Sequence, residues 1–237
     1  MEAGDKIKAF RSNFSFGGKT PKYFDEHVQK SVPFYNAGQD LICKISSFFI
    51  ENKSIIYDLG CSTGTLINKI SDYNKKINLN IYGFDIEPGM INIAKKKIIK
   101  NKKDNVYLKS KNIVKANFKK SDVIICYYTI QFIRPKYRQY LINKIYKSLN
   151  WGGAFLFFEK VRGPDARFQD LMSQIYQEYK SDIGYNEKEI IHKSLSIRSV
   201  LEPFSSNANV QFLKRAGFKD IMTIMKYCCF EGFLAIK

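Results

Sequence analysis

The stretch Ile55-Ile56-Tyr57-Asp58-Leu59-Gly60-Cys61-Ser62-Thr63-Gly64-Thr65-Leu66-Ile67 constrains this chain more than any other. A short apolar strand runs directly into a glycine-punctuated turn, and Leu66, Ile67 and Ile70 then return at helical spacing. Asp58, Gly60 and Gly64 form the pattern D-x-G-x-x-x-G. Glycine lets the backbone turn sharply and leaves no side chain between a ligand and the main-chain N–H groups that open the next helix. The stretch therefore reads as one unit of an α/β fold with a nucleotide-like ligand against its turn.

A second strand sharpens this. Leu79-Asn80-Ile81-Tyr82-Gly83-Phe84-Asp85 ends in an acid, and an acid at that strand tip accepts hydrogen bonds from both ribose hydroxyls of an adenosine. The dinucleotide turn G-x-G-x-x-G is absent, so the site suits a ligand without a pyrophosphate, and S-adenosylmethionine (SAM) is the leading candidate. Asp58, Gly60, Gly64 and Asp85 are thus candidate cofactor-binding residues. The competing reading is structural, with Asp58 as a cap and the glycines as turn formers.

The remaining segments fall into alternating strands and helices. Residues 1–40 carry aromatics at Phe10, Phe14, Phe16, Tyr23, Phe24, Phe34 and Tyr35, too apolar for a free tail, and are expected to fold over the ligand mouth as a lid with Tyr35 at its end. Leu41–Ile50 is expected as the first helix, Pro88–Lys100 as the helix after Asp85, and Val106–Leu108 as the third strand. Asn112 then falls where a polar side chain meets the adenine edge. The fourth strand, Ser121–Tyr128, brings Tyr127 to its carboxyl end, where ligands of open α/β sheets sit. A helix over Lys136–Leu149 stops at Asn150-Trp151-Gly152-Gly153, and a fifth strand, Ala154–Phe158, leads to Glu159, expected on the substrate side. Residues 165–201 read as an inserted two-helix cover, the first with an apolar face of Phe168, Leu171, Met172, Ile175, Tyr176 and Tyr179. Phe218–Tyr227 and Phe230–Ile236 close the chain as an antiparallel hairpin. Together these make one domain over residues 1–237, a mostly parallel seven-stranded sheet of the class I SAM-dependent methyltransferase fold.

Composition removes other classes. No apolar run is long enough to span a bilayer and the N-terminus has no apolar signal core, so the chain reads as cytoplasmic, with no membrane partner. Five cysteines without a C-x-x-C pair suggest neither a metal site nor a disulfide framework. The net charge of +17 raises nucleic acid as a partner, with lysine dense over Lys95–Lys103 and Lys109–Lys120. Solvated surface lysine is preferred, since the D/N-P-P-Y/F signature of amino-methylating nucleic-acid enzymes is missing from the fourth strand. His27 and His192, the only histidines, are the candidate bases should an acceptor need one.

Ser31-Val32-Pro33-Phe34-Tyr35, Tyr57–Ser62, Thr129-Ile130-Gln131-Phe132, Lys144-Ile145-Tyr146, Glu159-Lys160, Gly184-Tyr185 and Phe230–Lys237 form a more specific set. On these residues the chain resembles, over nearly its whole length, the carboxy-S-adenosylmethionine synthases of wobble-uridine tRNA modification. The resemblance implies SAM as acceptor of a carboxyl group taken from prephenate, a homodimer, and a ligand site lined by Tyr35, Gly60, Cys61, Ser62, Asp85 and Ile113. The chain departs from that pattern at three places: Ile86 and Tyr127 stand where the family has asparagine, and Ser194 where it has arginine. Ile86 and Tyr127 stay with the cofactor site, Tyr127 giving an aromatic face for the sulfonium. A serine hydroxyl cannot replace a guanidinium that grips a carboxylate with two charge-assisted bonds. Arg198, one helical turn beyond Ser194, is the cation that can stand in, which makes Tyr127, Glu159 and Arg198 the candidate catalytic set. The reading preferred is methyl transfer from SAM to a small molecule. The alternatives are the carboxy-SAM synthase itself and a non-catalytic SAM-binding partner subunit.

Overall fold

The computed structural model describes residues 4–7, 10–101 and 104–237. The end of the lysine run, Lys102 and Lys103, lies outside the described residues, as do residues 1–3, 8 and 9 of the N-terminal segment. Seven strands form one sheet: β1 (Ile55–Leu59), β2 (Asn80–Asp85), β3 (Val106–Ser110), β4 (Ser121–Tyr127), β5 (Leu149–Lys160), β6 (Asp220–Tyr227) and β7 (Phe230–Ile236), in the order β3-β2-β1-β4-β5-β7-β6. β1 to β5 run parallel, and β7 inserts antiparallel between β5 and β6. This is the fold class read from the sequence. Strand order reverses between β1 and β4, so their carboxyl ends border the crevice where such sheets take ligands.

Both faces of the sheet are covered, which is why β4 reads as an unbroken apolar run. Strand alternation divides the core in two. Ile56, Val123, Ile125, Leu156 and Phe158 pack on one face, and Tyr57, Leu59, Ile124, Phe155 and Phe157 on the other. The helices are α1 (Thr20–Ser31), α2 (Tyr35–Ser46), α3 (Thr65–Tyr73), α4 (Pro88–Lys100), α5 (Pro135–Ser148), α6 (Ala166–Asp182), α7 (Glu187–Ile197) and α8 (Ser206–Ala216).

Three details differ from the sequence expectation. The first helix does not start at Leu41: two helices precede β1, separated where Val32 turns extended ahead of Pro33 and Phe34 takes φ +57°. β5 begins at Leu149, before the two glycines, because Leu149 already pairs with Ser121. α8 was not expected at all, although Ser205 caps it by accepting from the Ala208 N–H and Gly217 ends it at φ +117°.

Candidate active site

The turn after β1 is built by backbone geometry. Gly60, Ser62 and Gly64 adopt φ of +86°, +47° and +76°. The N–H groups of Gly60 and Cys61 both donate to the Phe84 carbonyl, at 2.7 and 3.0 Å, stitching the turn to β2. A side chain at Gly60 would run into Thr129, so the turn needs glycine for space as well as for φ. At the end of β2 the Asp85 carboxylate accepts from the N–H of Ser62 and of Glu87, each at 2.9 Å, which fixes it at the cavity's edge. Burial raises its pKa while those N–H groups oppose the rise. Asp58 is fully buried beneath the turn, and burial together with the Asp85 charge pushes its carboxyl up to about 7.

A cavity of about 1200 Å³ opens from this turn. Gly60, Ser62, Asp85, Ile86, Asn112 and Ile113 line one end. Asp58, Cys61 and Gly64 do not line it: Cys61 packs into the core and the other two shape the turn from behind. Asn112 accepts the Val114 N–H through Oδ1, and its loop is held by Lys144, whose Nζ donates to the carbonyls of Ile113, Val114 and Ala116 at 2.9, 2.6 and 2.7 Å. Tyr35, Tyr127 and Tyr128 form an aromatic wall, with ring centroids 4.9 Å apart for Tyr35 and Tyr127 and 4.7 Å for Tyr127 and Tyr128. The Tyr127 hydroxyl donates to the Tyr35 carbonyl at 2.5 Å and fills the space a side chain at Gly38 would need. Burial raises all three phenols, so they remain neutral.

These features fit SAM: an acid at the second strand tip for the ribose, a side-chain-free turn, and an aromatic face for the sulfonium. A cavity for one drug-sized ligand occupies roughly 300–1000 Å³. The volume here leaves room for a second molecule.

The far end of the cavity is chemically different. Phe14, Phe16, Phe24 and His27 close it from the N-terminal side, and the Tyr176 hydroxyl of α6 ties down to the Ser31 carbonyl at 2.7 Å. Three lysines line it: Lys160 from β5, Lys180 from α6 and Lys193 from α7. Lys160 Nζ lies 4.0 Å and Lys180 Nζ 4.7 Å from the Tyr176 ring centroid, and Lys193 Nζ lies 3.4 Å from that of Phe14. Among the described residues no carboxylate sits within ion-pair distance of any of the three. Burial lowers all three pKa values, Lys180 to about 8 and Lys193 well below the ordinary range, with repulsion from Lys160 adding to the effect at Lys180 and repulsion from Lys180 adding to it at Lys193.

The sequence-derived catalytic set is dispersed. Tyr127 lies on the cavity wall. Glu159 points the other way, because adjacent residues of a strand face opposite sides and Lys160 takes the cavity side. Glu159 is buried beside Arg138 with one carboxyl oxygen unpartnered, and burial raises its pKa well above the usual range. Arg198 is exposed at the C-cap of α7 and does not line the cavity, whereas Ser194 does. His27 lines the cavity and His192 does not. The apolar face expected for α6 is split: Met172 and Tyr176 line the cavity, while Phe168, Leu171 and Ile175 are exposed. Sequence reasoning passed over Lys180 and Lys193, which sit on two different helices, α6 and α7, and are indistinguishable locally from surface lysines. Lys160 was within reach, since alternation from the buried Phe158 points it to the same face.

Comparison with known proteins agrees with this fold. A family model described as "Methyltransferase domain" matches residues 57–155. The chain is 36% identical over 231 residues to a carboxy-S-adenosyl-L-methionine synthase of Campylobacter lari, covering 97% of each chain. It is 37% identical over 219 residues to the synthase of Staphylococcus epidermidis, covering 92% of this chain and 94% of that one. Among solved structures it resembles the apo form of the SAM-dependent methyltransferase SibL, with a TM-score of 0.65 at 15% identity over 86% of this chain and 55% of that one. No helix among the described residues is long and apolar enough to cross a membrane.

Proposed function

The chain belongs to the carboxy-S-adenosyl-L-methionine synthase family on the class I methyltransferase fold, and from that premise we propose that it transfers the methyl group of SAM to a small organic acid. It is a SAM-dependent transferase. The observation carrying the choice of acceptor is the set of three lysines facing one cavity, Lys180 and Lys193 buried and Lys160 partly so, with no carboxylate within ion-pair distance among the described residues. Buried cations without counter-ions are costly, and an anionic ligand offsets that cost.

Asp85, the Gly60–Ser62 turn and the Asn112–Ile113 loop would hold the adenosine part of SAM, with Tyr35, Tyr127 and Tyr128 against the sulfonium. SAM supplies a methyl group already activated by its positive sulfur. The protein's contribution is mostly to fix two partners in line and exclude water. Lys160, Lys180 and Lys193 orient the acid by charge, and Phe14, Phe16 and Phe24 shut the cavity. On this reading residues 1–40 act as a lid and residues 165–201 as a cover. The exposed Phe168, Leu171 and Ile175 of α6 would bury against a second copy in a homodimer, and the enzyme works in the cytoplasm.

A second reading, carboxy-SAM synthesis for tRNA modification, is favoured by one observation: Lys193, next to Ser194, puts a buried cation on the same cavity, so a grip on a carboxylate survives the loss of the family's arginine. Incubation with SAM and a panel of small acids including prephenate, followed by mass spectrometry, tests both. S-adenosylhomocysteine with a methylated acid is expected. A SAM species heavier by one carboxyl group would establish the synthase reading instead, and tight SAM binding without any turnover would leave a binding subunit.

A further inference from the structure

Behind Lys193 lies a buried chain of groups for which SAM binding has no use. The Asp5 carboxylate is buried and accepts from Lys30 Nζ at 2.8 Å, from the Tyr185 hydroxyl, and from His27 Nδ1 at 2.8 Å. Burial works against its charge, yet the hydrogen bonds from His27, Lys30 and Tyr185 hold its carboxyl well below the usual range. An ionised carboxylate only accepts, so the His27 proton sits on Nδ1 and Nε2 presents a lone pair. That lone pair faces Lys193 Nζ at 2.8 Å, with the Ser31 hydroxyl also near it at 3.2 Å. Burial pushes His27 down to about 4, and Lys193 and Lys180 push in the same direction, so the ring is neutral near pH 7.

The consequence is electrostatic. Lys193 is aimed by a neutral acceptor and by the face of Phe14, so its position is fixed with no carboxylate in direct contact, and the Asp5 charge reaches it only from behind His27. The negative charge of Asp5 is taken up by Lys30 and Tyr185 as well as His27. Among the described residues, the other ionisable groups around Lys193 are Lys180 from α6, Lys160 beyond it on β5, Tyr185 ahead of α7, and Glu189 on α7 itself, which is engaged in the helix's capping box.

We propose that Asp5 and His27 are positioning residues that hold Lys193 as the anchor for the acid's carboxylate, and that the acid is captured together with a proton from solvent. This rests on the acid-binding half of the function proposed above. Burial and repulsion from a neighbouring lysine lower the pKa values of Lys180 and Lys193 and so favour loss of a proton in the free protein, and an arriving anion favours the charged amine and draws a proton back. Affinity for the acid then falls as pH rises through the lysine range, while affinity for SAM does not.

Isothermal titration calorimetry of the full chain with malonate, in two buffers of different ionisation enthalpy, reads the proton directly. Net proton uptake is expected, with binding weakened roughly tenfold in His27→Phe, which keeps a ring over Phe14 but removes the acceptor, and largely kept in His27→Gln, which supplies one. SAM affinity, unchanged in both variants, serves as the check on folding. Malonate binding without proton uptake, equal affinity in wild type and His27→Phe, or no malonate binding at millimolar concentration would each overturn the inference. Lys193→Met gives a second arm: it should reduce the proton uptake, and uptake unchanged from wild type would also overturn it. If malonate behaves as expected and no acid is ever turned over, the transferase reading fails and this one stands.

Discussion

The two ends of the cavity are made by opposite means. At the SAM end every anchoring feature lies within a few residues of a strand tip, and the decisive contacts are backbone ones: Gly60 and Cys61 to Phe84, Ser62 and Glu87 to Asp85. At the acid end the decisive groups are side chains from four elements, His27 of α1, Lys160 of β5, Lys180 of α6 and Lys193 of α7, and no two are close in sequence. The first end is acidic and rigidly hydrogen-bonded, and the second is cationic and paired only to rings and a neutral imidazole. A fold's shared cofactor site can be held by backbone and survive drift in its neighbours, whereas a site assembled from distant side chains is where a family's specificity can change.

The sharpest way to break the comparison is Asp85→Ala. Loss of a fixed, charged acceptor of the ribose hydroxyls should weaken SAM binding on the order of a hundredfold, taking about 1.5–3 kcal/mol for hydrogen bonds to a charged group. Malonate binding in the same variant should be unaffected, and a parallel loss in both titrations would mean that the two ends are not separate. The converse is Lys180→Met with Lys193→Met. It should raise the KM for the acid roughly ten- to a hundredfold and leave SAM affinity alone, the two lost charge-assisted contacts together being worth about 1.5–3 kcal/mol. The double variant should also melt at a higher temperature, because replacing buried like charges with apolar chains removes desolvation cost and repulsion.

The same division explains what was legible in the sequence. The order of the strands, the glycine turn and Asp85 at the tip of β2 follow from local periodicity and glycine spacing, and the structure has them in the same places. α8 carried its signals, Ser205 before it, Gly217 after it, and Asn209, Phe212 and Leu213 on its buried side, but they were overlooked between two stronger patterns. Glu159 was placed on the substrate side by analogy with a strand end, although alternation from Phe158 gives that side to Lys160. The lysine cluster follows no local rule. Lys180 and Lys193 have the residue type of a solvated surface, and only the packing of α6 and α7 over the cavity makes them interior.

Ser194→Arg sharpens the comparison from the other direction. Ser194 lines the cavity, and an arginine there would add the bidentate carboxylate grip that the family pattern carries. If the acid end alone decides the chemistry, prephenate affinity should rise several-fold, about 1 kcal/mol. The yield of carboxylated SAM relative to S-adenosylhomocysteine should rise with it. An unchanged product ratio would move the cause to Tyr127 and Ile86 at the SAM end.

The smallest effect concerns stability and pH, and its sign separates the ends. Asp58, beneath the SAM turn, has its folded pKa raised to about 7 from 3.8, so the native state holds its proton more tightly than the unfolded chain does. Its contribution is therefore fully present at acid pH and is lost as pH rises through about 4 to 7. Lys180, at the acid end, has its folded pKa lowered to about 8 from 10.5, so the unfolded chain binds the proton more tightly. Its penalty is full below pH 8 and is relieved as pH rises from 8 toward 10.5. Each group moves stability by on the order of 1–2 kcal/mol after relaxation and water entry, less than the full 1.36 kcal/mol per pKa unit. Urea titrations at a series of pH values should show Asp58→Asn flattening the fall between pH 4 and 7, and Lys180→Met flattening the rise above pH 8. Saturating malonate should act like Lys180→Met, because a bound anion keeps the lysine charged in the native state, and a profile unmoved by malonate would separate the anion from Lys180.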